Sequence, residues 1–212
     1  MFCSNIRQRM ASPSPIRSSP LQPEDWLRAG FARLAAEGLE AVRVEVLSRD
    51  LGVSKGSFYW HFQDREELLA KMLDRWEAEE ASWLEAAVRG VHSPASRWAR
   101  LVDRSGDPGR LRLEAALHAW ARKDAGTAQR ITALERKRGA YIDSVLREIG
   151  FDPASAARWA DLVMLVYLGW LDRTTRDAEF PPPGLGLGEF LSEMILAASA
   201  RPSAKAQTSE EI

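Results

Sequence analysis

Three times beyond residue 20 a serine or aspartate stands directly before a proline, at Ser93-Pro94, Asp107-Pro108 and Asp152-Pro153, and Gly90, Gly150 and Pro181-Pro182-Pro183-Gly184 close other stretches. A short polar side chain can accept hydrogen bonds from the unpaired N–H groups of a first helical turn. Proline's fixed φ suits the next position, and glycine takes the left-handed conformation that ends a helix. Such punctuation makes helices, not sheets. Pro23, followed by Glu24 and Asp25 at the positive end of the dipole, opens another helix, with an apolar side at Leu27, Phe31 and Leu34 and an end at Gly38. The spacing predicts further helices at about 65–89, 94–104, 108–123, 127–149, 153–175 and 188–200. Only Val42 to Val46 alternates like a strand, and it runs into Leu47 to Gly52, where helix fits better. The expected class is all-α.

The 212 residues suit one elongated domain or a small one joined to a larger one, and are enough for a self-supporting core. One cysteine, Cys3, cannot form an internal disulfide, and with three histidines it leaves too few soft ligands for a structural zinc site. No cofactor is expected. The start MFCSNIRQRM lacks the apolar run of a signal peptide, and no stretch approaches about 18 apolar residues, so a cytoplasmic protein without a membrane partner is expected. Residues 1–20, with three prolines, six Ser/Asn positions, three arginines and no acid, read as a disordered basic arm; 201–212 read as a solvated tail.

Residues 44–69, VEVLSRDLGVSKGSFYWHFQDREELL, hold the most informative pattern. Val44, Leu47 and Leu51 give a short helix one buried side. Gly52 supplies positive φ for a tight bend, Val53 can plug the angle, and Ser54 can cap a second helix running from Lys55 to Phe62. Two helices joined by a short glycine turn are the helix-turn-helix pattern. Phe58 and Phe62 can face the core, which leaves Lys55, Ser57, Tyr59, Trp60 and His61 directed elsewhere. That set suits a major groove, with Lys55 and Tyr59 on phosphates, Ser57 and His61 hydrogen bonding and Trp60 in apolar or phosphate contact. Periodicity alone allows equally that the aromatics pack in a core or a protein interface. Asp64 to Glu67 read as a D-x-x-E capping box for the next helix, whose N-terminus and Arg65 suit another phosphate.

Residues 24–75 resemble the DNA-binding domain of the tetracycline-repressor (TetR) family, whose helix-turn-helix ends in a pattern like G-V-S-x-G/P-T/S-L/F-Y-x-x-F, then a short cap and K/R-x-x-L. Here the residues are Gly52-Val53-Ser54-Lys55-Gly56-Ser57-Phe58-Tyr59-Trp60-His61-Phe62, then Arg65 and Leu68. The resemblance implies a three-helix DNA-binding domain at 21–70, a helical ligand-binding and dimerisation domain at 71–200, and a ligand-responsive repressor binding a palindromic operator as a homodimer. It places Arg43, Ser54, Lys55, Ser57, Tyr59, Trp60, His61 and Arg65 at the operator, with Ser57 and Tyr59 at phosphate-contacting positions and Arg65 clamping the backbone. Arg43 departs from the pattern, standing where the family has a Ser or Thr cap.

Beyond residue 75 the resemblance is architectural. A helix from Arg65 to about Val88, carrying Leu69, Met72, Trp76 and Trp83, is long enough to join the two domains. Trp159 to Leu171 is apolar nearly all round and pairs with Phe190 to Leu196, so Trp159, Leu162, Val166, Trp170, Phe190 and Met194 are expected at a dimer interface. Trp83, Trp98, His118, Trp120, Tyr141, Met164 and Tyr167 are candidates to line a cavity for a small apolar or amphipathic effector. Glu114 with His118 lacks a third metal ligand, and Arg136-Lys137-Arg138 reads as an exposed face.

An enzyme is disfavoured, for there is no glycine-rich phosphate loop, H-E-x-x-H or G-x-S-x-G. The remaining alternative is a helical interaction or ligand-binding module without DNA binding. The net charge of -1 gives no broad basic surface: residues 1–75 are +1, residues 76–212 are -2. DNA binding would rest on a few placed contacts doubled by symmetry, with a modest salt slope.

Overall fold

Proline occupies the first turn of α1 (Pro23–Glu37), α5 (Pro94–Ser105), α6 (Pro108–Ala121) and α8 (Pro153–Arg176). In the last three the preceding side chain caps the helix as expected: Ser93 accepts from Ser96 N, Asp107 from Arg110 N, and Asp152 from Ala154 and Ser155 N. The other helices are α2 (Val44–Leu51), α3 (Lys55–Tyr59), α4 (Arg65–Arg89), α7 (Ala125–Ile149) and α9 (Leu187–Ser199), with a 3-10 turn at Leu39–Ala41. Asp124 starts α7 by accepting from Thr127 N at 2.6 Å, so this helix begins two residues before the predicted position. The computed structural model describes residues 21–89, 93–177, 179–181, 184 and 186–199, and they contain no strand. The expected arm at 1–20 and tail at 201–212, with Cys3, Gly90 and Pro182-Pro183, lie outside the described residues. None of the described helices is long and apolar enough to cross a membrane.

Two apolar cores follow from the side-chain stripes. The first joins α1 to α4 through Trp26, Leu34, Leu47, Phe58, Leu68 and Met72, all fully buried, and continues into Leu117 and Trp120 of α6 and Ile131 and Leu134 of α7. The apolar packing therefore crosses residue 70, where the domain division was expected, and α1 lies against α6. The second core gathers α5, α7, α8 and α9 around Trp98, Val145, Leu146, Val163, Leu171 and Leu191. Helix α4 serves both: Met72 and Trp76 lie in the first, Ala87 in the second. At 1.5 Å per residue its 25 residues span about 37 Å, long enough to reach from one core to the other. The α1–α4 approach depends on Gly30, where a Cβ would stand 2.7 Å from Met72 Sδ.

Candidate functional site

Helices α2 and α3 are too short to persist alone, since isolated helices below about 12 residues are marginal in water. Tertiary contacts hold them. Gly52 ends α2 in the left-handed region (φ 69°, ψ 32°), letting its N–H reach Arg49 O while Val53 N donates to Ser48 O. The chain thereby reverses within three residues, and Val53 packs on the first core. Phe58 of α3 packs edge-on against Trp26 at 5.2 Å and stacks on Phe62 at 5.2 Å. Burying two such rings supplies roughly 2–3 kcal/mol each, enough to anchor a five-residue helix.

The predicted second helix to Phe62 is shorter than expected: α3 ends at Tyr59 and Trp60-His61 form a turn, with His61 and Phe62 N both donating to Phe58 O. With Phe58 and Phe62 turned inward, Tyr59 and Trp60 are left 59% and 87% exposed. Lys55 is also exposed, Ser57 and His61 are half-buried, and Arg43 is exposed at the N-cap of α2 with no side-chain cap bond. Ser54 occupies the N-cap of α3, but its hydroxyl makes no cap bond, against expectation. Lys55 Nζ donates to Glu45 Oε1 at 2.6 Å across α2 and α3, so a phosphate would compete with Glu45 for it.

Arg65 differs from the phosphate-clamping expectation. Its Nε donates to Val42 O at 2.6 Å and one Nη to Leu39 O at 2.9 Å, tying α4 to the turn before α2. Asp64 caps α4 as expected, Glu67 N donating to its Oδ1 at 2.8 Å, and only the return bond of the capping box is displaced: the Glu67 carboxylate accepts from Gln63 N at 2.7 Å. The start of α4 is thus satisfied by the protein's own carboxylates.

A second constellation lies inside the larger domain. Glu80 of α4 and Glu114 of α6 are 2% and 0% exposed and share three arginines. Arg138 of α7 donates to both Glu114 oxygens at 2.8 and 2.7 Å and to Glu80 at 2.6 Å. Arg110 donates to Glu80 Oε2 at 2.8 Å and pairs with Glu114; Arg104 of α5 pairs with Glu80. Tyr167 of α8 donates its hydroxyl to Glu114 at 2.6 Å. Burial alone would push the Glu80 carboxyl up, but the hydrogen bond from Arg110 and the charge of Arg138 outweigh it and hold the group at about 2. Burial and the Glu114 charge push Tyr167 up, so it stays a neutral donor.

This cluster borders a small cavity of about 50 Å³, with apolar walls that include Leu101, Ile142, Val163, Met164 and Leu191. Of the predicted pocket residues, Trp83, Met164 and Tyr167 line it. Tyr141 is buried behind Trp83, edge-on at 6.4 Å. Trp98 packs in the second core and Trp120 in the first, because their stripes face helix neighbours rather than a void. His118 faces Glu135 of α7 at 3.7 Å; burial lowers the histidine and raises the carboxyl, so the pair is held towards its uncharged forms. Glu80, Arg104, Arg110 and Arg138 were not anticipated, and Glu114 was read only as an incomplete metal pair. Arg138 corrects the reading of 136–138 as an exposed face: Arg136 and Lys137 are exposed, but Arg138 is buried. Among the described residues no group of His, Cys, Asp and Glu could hold a metal.

Of the expected interface residues, Leu162 and Phe190 are exposed, while Trp159, Val166 and Met194 are half-buried. Trp170 is buried with its ring 4.6 Å from Phe180, which removes it from the free face. Two unanticipated residues lie on α8 and α9 beside that face, Leu165 and Leu196, 66% and 67% exposed.

Residues 27–72 match the pattern of bacterial regulatory proteins of the tetR family. Among solved structures, a transcriptional regulator from Rhodococcus sp. Rha1 shares 24% identity at a TM-score of 0.66, over 84% of this chain and 95% of that one. A candidate transcriptional regulator from Saccharomonospora viridis in complex with choline gives 16% and 0.69, over 82% and 95%. The regulator FadR from Bacillus subtilis in complex with stearoyl-CoA gives 14% and 0.57, over 86% and 100%. No curated protein sequence matches the chain. A helix-turn-helix with outward Tyr59 and Trp60, set in this all-α fold, makes residues 27–72 a DNA-binding domain of the kind found in bacterial regulatory proteins of the tetR family, and the chain a DNA-binding transcriptional regulator.

Proposed function

We propose that this regulator is a ligand-responsive repressor that binds a palindromic operator as a homodimer. The observation that carries the operator contact is the outward placement of Tyr59 and Trp60 beside a fully buried Phe58. Large rings fixed outward on a firmly anchored helix are suited to a groove and its phosphate walls. Lys55, Ser57, His61 and Arg43 supply hydrogen-bond donors around them, with Ser54 at the start of the same helix. Arg65 acts in this reading chiefly by holding α4 to the reading unit. One such helix reads few base pairs, so two related by a two-fold axis are needed for a specific site.

The partner surface is the apolar face formed by Leu162 and Leu165 on α8 with Phe190 and Leu196 on α9, flanked by Trp159, Val166 and Met194. Pairing this face with its symmetry mate buries side chains that a monomer leaves in water. The effector enters the interior beside Trp83, Met164 and Tyr167, and α4 carries the change to the reading unit. The cytoplasm is the compartment in which such a protein meets its operator, and it acts by binding rather than as an enzyme.

Selection of bound fragments from a random DNA pool tests the proposal. It predicts enrichment of an inverted repeat, a dimer by light scattering, and affinity lost in Tyr59→Ala with the melting temperature unchanged. A pool that enriches no sequence would favour a helical module without DNA binding. Few basic contacts predict a shallow dependence of affinity on salt.

A further inference from the structure

The direct ion pairs of the interior cluster do not balance. Arg104, Arg110 and Arg138 pair with Glu80 and Glu114, three guanidiniums on two buried carboxylates. Glu135, half-buried on α7, acts on Arg138, whereas Glu80 is the one carboxylate that acts on Arg104. Tyr167 stays protonated, and His118 is held towards its neutral form. On the outer side, Glu79 pairs with Arg75 and Asp107 caps α6, while Asp103 and Arg100 are exposed at the groove.

The two buried carboxylates are saturated. Glu80 accepts from all three arginines, and Glu114 from Arg138, Arg110 and Tyr167. The arginines are not equally committed. Arg110 and Arg138 each bridge both carboxylates, whereas Arg104 bonds only to Glu80 and its Nε is buried with no partner. Burial and the neighbouring charge of Arg110 both act against the charged form of Arg104. Its guanidinium lies 4.5 Å from the Trp83 ring centre, which leaves edge donors available to a ligand.

Position completes the pattern. A wider open groove of about 740 Å³ shares Glu80, Trp83, Arg104 and Arg110 with the small apolar cavity. The charged band therefore separates an apolar chamber from a route to solvent. A ligand crossing it meets guanidinium donors at its polar end and Met164, Ile142 and Leu191 at the other.

We infer that the effector is an amphiphile with one negative charge, its anionic group paired with Arg104 and its apolar body directed into the chamber beside Trp83 and Met164. This deepens the ligand-responsive reading and rests on it. A bound anion competes with Glu80, the α4 member of the cluster, for Arg104 and Arg110. A cation would instead meet three guanidiniums with both carboxylates already engaged.

The test is calorimetric titration of the full chain with n-alkanoates of four to ten carbons, the matched primary amides and the matched alkyltrimethylammonium ions. At least one alkanoate should bind at least tenfold tighter than its amide or ammonium counterpart. Arg104→Gln should weaken it tenfold or more, Arg104→Lys less, and Arg100→Gln, on the exposed side one turn away, not at all. Equal or tighter binding of the amide or ammonium ion, no binding by any alkanoate, or an unchanged Arg104→Gln overturns the inference. Should Arg104→Gln fail to fold, the charge series in the native chain decides alone. Operator affinity separates the two readings. An alkanoate that binds through Arg104 without changing operator affinity sinks ligand responsiveness and keeps the anion site, whereas a neutral or cationic compound that shifts operator affinity does the reverse.

Discussion

Replacing Glu114 by leucine removes a carboxylate with no exposure and leaves a side chain of similar bulk. Glu114 accepts two bonds from Arg138 and one from Tyr167 and pairs with Arg110. Charge-assisted bonds contribute about 1.5–3 kcal/mol each, so a bare sum would exceed the stability margin of most domains. The sum overstates the loss, because the desolvation cost of Glu114 is recovered when it is removed. What remains is the penalty for Arg138, buried and left with Glu80 alone, and for a Tyr167 hydroxyl without its acceptor. The excess of guanidiniums over buried carboxylates rises from one to two. Breaking a buried pair from one side costs about 3–5 kcal/mol, and that loss is expected here.

Urea unfolding followed by circular dichroism measures it, and a companion variant makes the reasoning refutable. Glu114→Leu combined with Arg138→Met removes both ends of the pair and returns that excess to one. Two apolar side chains of suitable volume then fill the site. The double variant should recover most of the loss, ending within about 1–2 kcal/mol of the native chain. A single variant that loses less than about 1 kcal/mol would show that the cluster is solvated and contributes little. A double variant that loses the sum of its singles would show that the two residues act independently, against the bidentate contact at 2.8 and 2.7 Å.

Other perturbations read different parts of the molecule. Because Glu80 is held at about 2 in the folded chain, below its usual 4.5, its contribution is present above about pH 4.5 and is lost as pH falls towards 2. That is up to about 3 kcal/mol from this group, with Glu114 adding in the same direction, so the urea midpoint should fall steeply between about pH 4.5 and pH 2. Gly52→Ala meets no steric obstacle within 4 Å but must hold φ near 69°, so about 1 kcal/mol of stability should be lost by thermal melting through backbone strain alone. Arg65→Met frees two carbonyls in the turn before α2; a loss of about 1–3 kcal/mol is expected, with hydrogen exchange rising first in α2 and α3. Leu165→Glu should yield a folded monomer by light scattering, and an unchanged dimer would exclude the α8–α9 face as the interface.

How far the sequence could be read depended on which energy term decided each feature. Apart from α3, which ends three residues short of Phe62, helix ends were legible within two residues because capping is local: Asp107 and Asp152 satisfy N–H groups two or three residues on, and proline and glycine act through their own φ. The reading surface was legible for a related reason. Phe58 and Phe62 four residues apart fix one face of a short segment, and every other position then points away. The structural role of Arg65 was not legible because its partners are backbone carbonyls 23 and 26 residues earlier, set by a 3-10 turn that no side-chain period reveals.

The interior cluster was hidden for a different reason, although it left a trace. Glu80 falls within the stripe Met72, Trp76, Trp83 and Ala87 of α4, and Arg138 within Ile131, Leu134, Tyr141, Ile142 and Val145 of α7. Glu114 precedes the buried Leu117 of α6 by three residues. Each is a charge at a core register, which costs several kcal/mol unless an opposite charge comes from another helix. One such residue reads as a fault in the stripe or a turn of the helix face, and this made 136–138 look exposed. Three on three helices, two acidic and one basic, can satisfy one another only if α4, α6 and α7 meet at that level. A charge held at core register therefore carries information about tertiary packing that capping and apolar periodicity do not. Arg104, with Glu80 as its one carboxylate partner among the described residues and a buried unpaired Nε, is the arginine this packing commits least.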